Sequence, residues 1–111
     1  MTTWFRSHRV DGDVRYFFEV DDEGFVRRQV ELEGAGRATN AASSSEEVEA
    51  AYRDNTIGEY FATYGLPEEW STQAWDHELE PFTKEEFEVV WAAAREACAA
   101  GSRTRPTRRH D

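Results

Sequence analysis

The sequence predicts an α+β domain: an N-terminal antiparallel β-meander of three or four strands, followed by C-terminal helices packed on one face. Three observations carry this. Apolar and polar residues alternate with a period of two in the first 41 residues. Beyond Ser43, apolar residues recur at helical spacing behind Ser/Thr-x-x-Glu patterns at Ser44, Thr56 and Thr83. The 111 residues include four Trp, four Tyr and seven Phe, enough ring area for one core at a length that suits a single domain.

The strands come first. Trp4 and Phe5 open a short one that ends near Asp11-Gly12, a strong hairpin dipeptide. Val14, Tyr16, Phe18 and Val20 alternate with Arg15, Phe17 and Glu19 in the next. Asp21-Asp22-Glu23-Gly24 then turns the chain, and Gly24 takes a positive φ without steric cost. The third strand runs from Phe25 to Leu32. Strict alternation places Val26, Val30 and Leu32 on one face with Arg28 intruding, and Phe25, Arg27, Gln29 and Glu31 on the other. The turn Glu33-Gly34-Ala35-Gly36 leads to a short fourth strand, Arg37 to Ala41. One face of this sheet is expected to be apolar and the other charged.

The helices follow. Ser44 and Glu47 are spaced as a capping box ahead of a helix to about Arg53, with Val48, Ala51 and Tyr52 on one side. Asp54-Asn55 breaks its phase. Thr56 and Glu59 repeat the box, and Ile57, Tyr60, Phe61 and Tyr64 fall at i, i+3, i+4 and i+7. Gly65 and Pro67 end that helix. Residues 75–80 alternate as a short extended segment. In the last helix Thr83 and Glu86 form the box, and Phe82 and Phe87 are spaced as a hydrophobic staple. Phe87, Val90, Trp91, Ala94 and Cys98 make its apolar stripe, and Gly101 ends it. Residues 1–101 thus form the domain. Residues 102–111, with one Pro, four Arg and no apolar side chain, are expected to be a disordered basic tail.

Charge narrows the partner. Residues 1–45 hold six Arg against eight acids, and residues 46–101 three basic residues against fourteen acids. Residues 102–111 hold four Arg against one acid, within a total of −10. An acidic body repels nucleic acid and attracts a basic protein partner. No apolar run is long enough to span a bilayer, and Met1 to Arg6 lack an apolar signal core, so the expected location is the cytoplasm. Cys98, the single cysteine, has no internal disulfide partner and is expected to serve packing.

No catalytic, cofactor or metal motif stands out. Asp76-His77-Glu78 holds a base, but on a strand both acids point away from the His77 face. The acidic turns at Asp11 and Asp21 lack the spacing of a calcium loop. Arg27 is expected to pair across strands with an acid such as Glu19. Glu68, Glu69 and Trp70, after the Gly65/Pro67 break, combine an aromatic anchor with acids, which suits a binder of a basic surface. An aromatic pocket between sheet and helices, lined by Tyr16, Phe18, Tyr60, Trp75 and His77, is the alternative site.

Two segments carry a resemblance. Phe18 to Glu31, a strand, an acidic-Gly turn and an Arg-rich strand, resembles part of a small uncharacterised actinobacterial domain family. Phe82 to Trp91 resembles the closing helix of the same family. The resemblance implies the hairpin and the last helix and brings no activity with it. The expected function is a non-enzymatic acidic protein-interaction module, an immunity or inhibitor protein that covers a basic surface of its partner. The alternative is a small-ligand-binding domain or enzyme built on the aromatic pocket, and no cofactor is expected for either.

Overall fold

The computed structural model describes residues 1–9, 13–34, 38–65 and 79–109. The chain runs β1 (Thr3–Arg9), β2 (Val14–Val20), β3 (Val26–Glu33), β4 (Ala38–Ser44), α1 (Ser45–Arg53), α2 (Ile57–Tyr64), β5 (Glu80–Phe82) and α3 (Lys84–Arg109). All strand pairs are antiparallel, in the order β4-β3-β2-β1-β5. The four-strand meander and the helices packed against the sheet are as the sequence predicts. β5 adds a fifth strand beside β1; it begins at Glu80, the last residue of the segment expected to be extended, and runs two residues past it to Phe82.

Local chemistry explains the turns. The Asp21 carboxylate accepts the backbone N–H groups of Glu23 (2.9 Å) and Phe25 (3.0 Å), while Gly24 sits at φ 88°. These bonds, led by the one from Phe25, hold the Asp21 carboxyl below its ordinary range. The acids of this turn therefore have a structural task. Gly65 ends α2 at φ 82°, with its N–H donating to the Phe61 carbonyl oxygen. Asn55, at φ 60°, makes the break between α1 and α2.

The three expected capping boxes differ in outcome. At α3 the box closes: Glu86 N–H donates to Thr83 Oγ1 (3.1 Å), and Thr83 N–H to Glu86 Oε1 (3.4 Å). At α1 half of it forms. Ser44 Oγ accepts the Glu47 N–H (3.4 Å), but Ser44 N–H donates to Tyr60 Oη (2.9 Å) because the Glu47 carboxylate is drawn elsewhere. At α2, Thr56 makes no side-chain cap bond.

The faces of the sheet depart from the expected alternation. Val26 pairs with Val20 and Arg28 with Glu19, so Arg27 is the extra residue of a β-bulge. The bulge reverses the phase of β3. Val26 joins Val14, Tyr16, Phe18 and Val20 in one buried cluster, against which Phe5 and Leu79 pack. Arg28 stays with Val30 and Leu32 on the other face. The expected pairing of Arg27 with Glu19 is thereby corrected. Arg27 binds Asp21 (3.0 Å), and Arg28 takes Glu19.

The division into an apolar and a charged face is corrected as well. α3 packs on the mixed face, where Val90, Trp91, Ala94 and Cys98 meet Phe17, Val30, Leu32 and Ala42. The other face buries Gln29 and Glu31 alongside its aromatics. Burial is possible because Gln29 Nε2 donates to Glu31 Oε2 at 2.8 Å, while among the described residues Gln29 Oε1 has no hydrogen-bond donor. α3 also continues through Gly101, where a stop was expected. One glycine inside a helix costs only about 1 kcal/mol relative to alanine.

Candidate functional site

Two arginines organise the helical side. Arg28, at the centre of the sheet, donates to Glu19 through Nε and Nη2, both at 2.8 Å. It also reaches Glu88 on α3 at 2.6 Å, and Trp4 Nε1 donates to Glu19 at 3.2 Å. The hydrogen bond to Glu19 raises the Arg28 pKa against the opposing effect of burial. The hydrogen bond from Arg28 holds the Glu88 carboxyl below its ordinary range. The Arg28 guanidinium lies 5.0 Å from the centres of both the Phe87 and Trp91 rings, which themselves stack 6.3 Å apart.

Arg95 makes the second knot. Its Nε donates to the Ala42 carbonyl oxygen (2.8 Å), and its Nη2 pairs with Glu47. The Tyr60 hydroxyl donates to the same carboxylate at 2.8 Å. Burial pushes the Glu47 carboxyl up, but the bonds from Arg95 and Tyr60 prevail and hold it low. Burial first, and then the negative charge of Glu47, push the Tyr60 phenol up to about 12. These groups are fully engaged with one another, and their chemistry is to fasten α1, α2, α3 and β4 together.

The solvent side of α1 has a different character. Val48 and Ala51 face the core, and Glu47 turns inward to Arg95. Glu46 and Glu49 stay exposed, as do Asp54 after the helix and Glu59 on α2. Tyr52 was expected on the buried side with Val48 and Ala51. It is 64% exposed, three residues after Glu49 and so next to it on the helix surface. An open aromatic ring among acids is therefore present at Tyr52. Glu46 and Glu49 also line a cleft of about 520 Å³ together with Arg27 and Arg28.

Glu68, Glu69 and Trp70 lie outside the described residues, as do Trp75 and His77. Tyr16 and Phe18 are brought together, stacked with ring centres 5.9 Å apart, on the face of the sheet away from α3. Tyr60 does not join them, because the Glu47–Arg95 knot and the Tyr64 ring 5.0 Å away hold it on the helical side. Sequence reasoning missed Tyr52 as an exposed residue and Arg95 as an organiser. Tyr52 fits the apolar stripe of α1 by spacing alone, and nothing local marks Arg95.

Among the described residues no group of three or more His, Cys, Asp or Glu side chains is placed to hold a metal ion, and no helix is long and apolar enough to cross a membrane. Comparison with protein-family models, with curated proteins and with solved structures finds no match for this chain.

Proposed function

We propose that this protein is a non-enzymatic interaction module that covers a basic surface of a partner protein, in the manner of an immunity or inhibitor protein. The observation that carries the reading is Tyr52, an open aromatic ring beside Glu49, with Glu46, Asp54 and Glu59 also exposed on α1, α2 and the turn between them. A ring of this kind supplies contact area at small entropic cost. The acids steer encounter and select a partner of opposite charge, and the net charge of −10 extends that field over the molecule. The inward contacts of α1 are made by other residues, Glu47, Val48 and Ala51, so the outward set is free to evolve for binding.

The test is affinity capture from the lysate of its own host, with the wild type beside Tyr52→Ala and Glu46→Lys/Glu49→Lys, at low and high salt. The expected prey is a protein of basic isoelectric point, retained by the wild type at low salt and lost with either variant. Circular dichroism confirms that both variants are folded. A prey retained equally by all three proteins, or one that is acidic, overturns the reading.

A further inference from the structure

On this acidic chain one recess carries the opposite charge. It occupies about 390 Å³ over β1, β2 and β5 and is lined by Arg6, Ser7, His8, Arg15, Phe17 and Glu80. The register builds it. Arg6 stands opposite Phe17, and His8 opposite Arg15, on the face of the sheet that α3 covers further along. Arg6 also stands opposite Glu80.

Two of the three basic groups are committed. Arg6 Nε donates to Glu80 Oε1 at 3.0 Å, which leaves both Nη groups of Arg6 for other acceptors. His8 Nε2 lies 2.8 Å from Asp13 Oδ1. Arg15 is different. It is half-buried, and among the described residues its guanidinium makes no hydrogen bond, ion pair or ring contact. Two basic side chains directly opposite each other on adjacent strands repel whenever both are charged. A half-buried guanidinium with five idle donors adds a desolvation cost. Both costs vanish when an oxyanion enters.

We propose that this recess is a binding site for a small-molecule carboxylate, with Arg15 as its forked donor and Phe17 as the surface for its apolar part. The side-chain charges choose the class. Among the residues that line the recess Arg6 and Arg15 outnumber Glu80 by one, a surplus that a single carboxylate balances, while the Asp13 carboxylate that His8 meets lies outside the lining. Arg presents paired N–H donors that match the two carboxylate oxygens. The Arg6–Glu80 bond holds the Arg6 head at the wall, where its Nη groups approach the same anion. The Phe17 ring, 5.4 Å from Phe82 and half-buried, gives the floor an apolar element. This site is separate from the Tyr52 surface and does not depend on the function proposed for it.

The test is titration of the full chain with benzoate, benzamide and phenyl phosphate, followed by amide and Arg side-chain NMR shifts. Benzoate is expected to shift Arg15 and its neighbours on β1 and β2 saturably, and the uncharged isostere benzamide to leave them unmoved. Arg15→Gln should weaken benzoate by on the order of tenfold or more, and Arg15→Lys, which keeps the charge and loses the fork, by an intermediate factor. Amide spectra show whether each variant keeps its fold, and Arg15→Lys serves if Arg15→Gln does not. Equal benzoate affinity in wild type and the folded variants overturns the proposal. So does binding of benzamide as tight as benzoate. Phenyl phosphate binding tighter than benzoate overturns the choice of a singly charged ligand.

Discussion

Arg95 lies one helical turn after Trp91, and its guanidinium carbon stands 4.3 Å from the Trp91 ring centre while its Nε donates to the Ala42 carbonyl oxygen at 2.8 Å. The same guanidinium is 3.8 Å from the Tyr64 ring. With Arg28 5.0 Å from Trp91, the indole has two ion-paired arginines as neighbours. Arg28 pairs with Glu19 and Glu88 and Arg95 with Glu47, so neither guanidinium meets the ring as an unpaired charge. The helical layer is thus fastened to the sheet by polar groups set around one large ring.

Trp91→Ala removes the ring that both guanidiniums face and opens space beside Val30 and Ala94. The expected cost is about 3 kcal/mol, the lower end for Trp truncation because the residue is half-buried. Urea denaturation measures it. A double-mutant cycle with Arg95→Met should show a coupling of at least about 0.5 kcal/mol. Additive single effects would show that the two side chains do not stabilise each other.

The capping differences give a paired prediction. Thr83→Ala should lower stability by about 1 kcal/mol, because it removes the Oγ1 that accepts the Glu86 N–H at α3 and donates to the Glu86 carboxylate. Thr56→Ala should stay within about 0.5 kcal/mol, since Thr56 makes no side-chain cap bond. Thermal midpoints of the two variants under one buffer decide the matter, and equal losses would contradict the geometry.

Acid sensitivity follows from Glu88 and Glu47. Both titrate below the ordinary 4.5 of a glutamate in the folded protein. The unfolded chain therefore takes up protons first as pH falls. Their contribution is complete well above pH 4.5 and is lost as pH drops through the lowered folded values. Glu88→Gln should flatten the decline in midpoint between about pH 5 and pH 3. An unchanged slope would mean that Arg28 does not hold Glu88 in solution.

Tyr60 sets the alkaline limit. Its phenol ionises near 10.0 when unfolded and is pushed up to about 12 in the fold. The folded state thus holds the proton longer, so stability falls as pH rises from about 10 to about 12. Tyr60→Phe should remove that part of the alkaline decline, at the cost of the bonds to Glu47 and the Ser44 N–H at neutral pH. Absorbance titration of the phenols, with circular dichroism in parallel, provides the measurement.

The sequence by itself determined the class of fold, the meander, the phase break at Asp54-Asn55, the Gly65 stop and the Thr83 box. These depend on residues within a few positions of one another, where periodicity and turn chemistry act directly. Only the tertiary structure decided which face of the sheet meets α3. One extra residue at Arg27 reverses the phase of a strand, and nothing in a period-two pattern announces it. Only the tertiary structure placed Tyr52 outside and joined Arg95 to Glu47, 48 positions away in the chain. The recess at Arg15 likewise needs β1, β2 and β5 in register, with Glu80 brought 74 positions back to Arg6. Such pairings are set by how layers dock, and docking energy belongs to surfaces assembled from distant segments, so no local reading of the chain contains it.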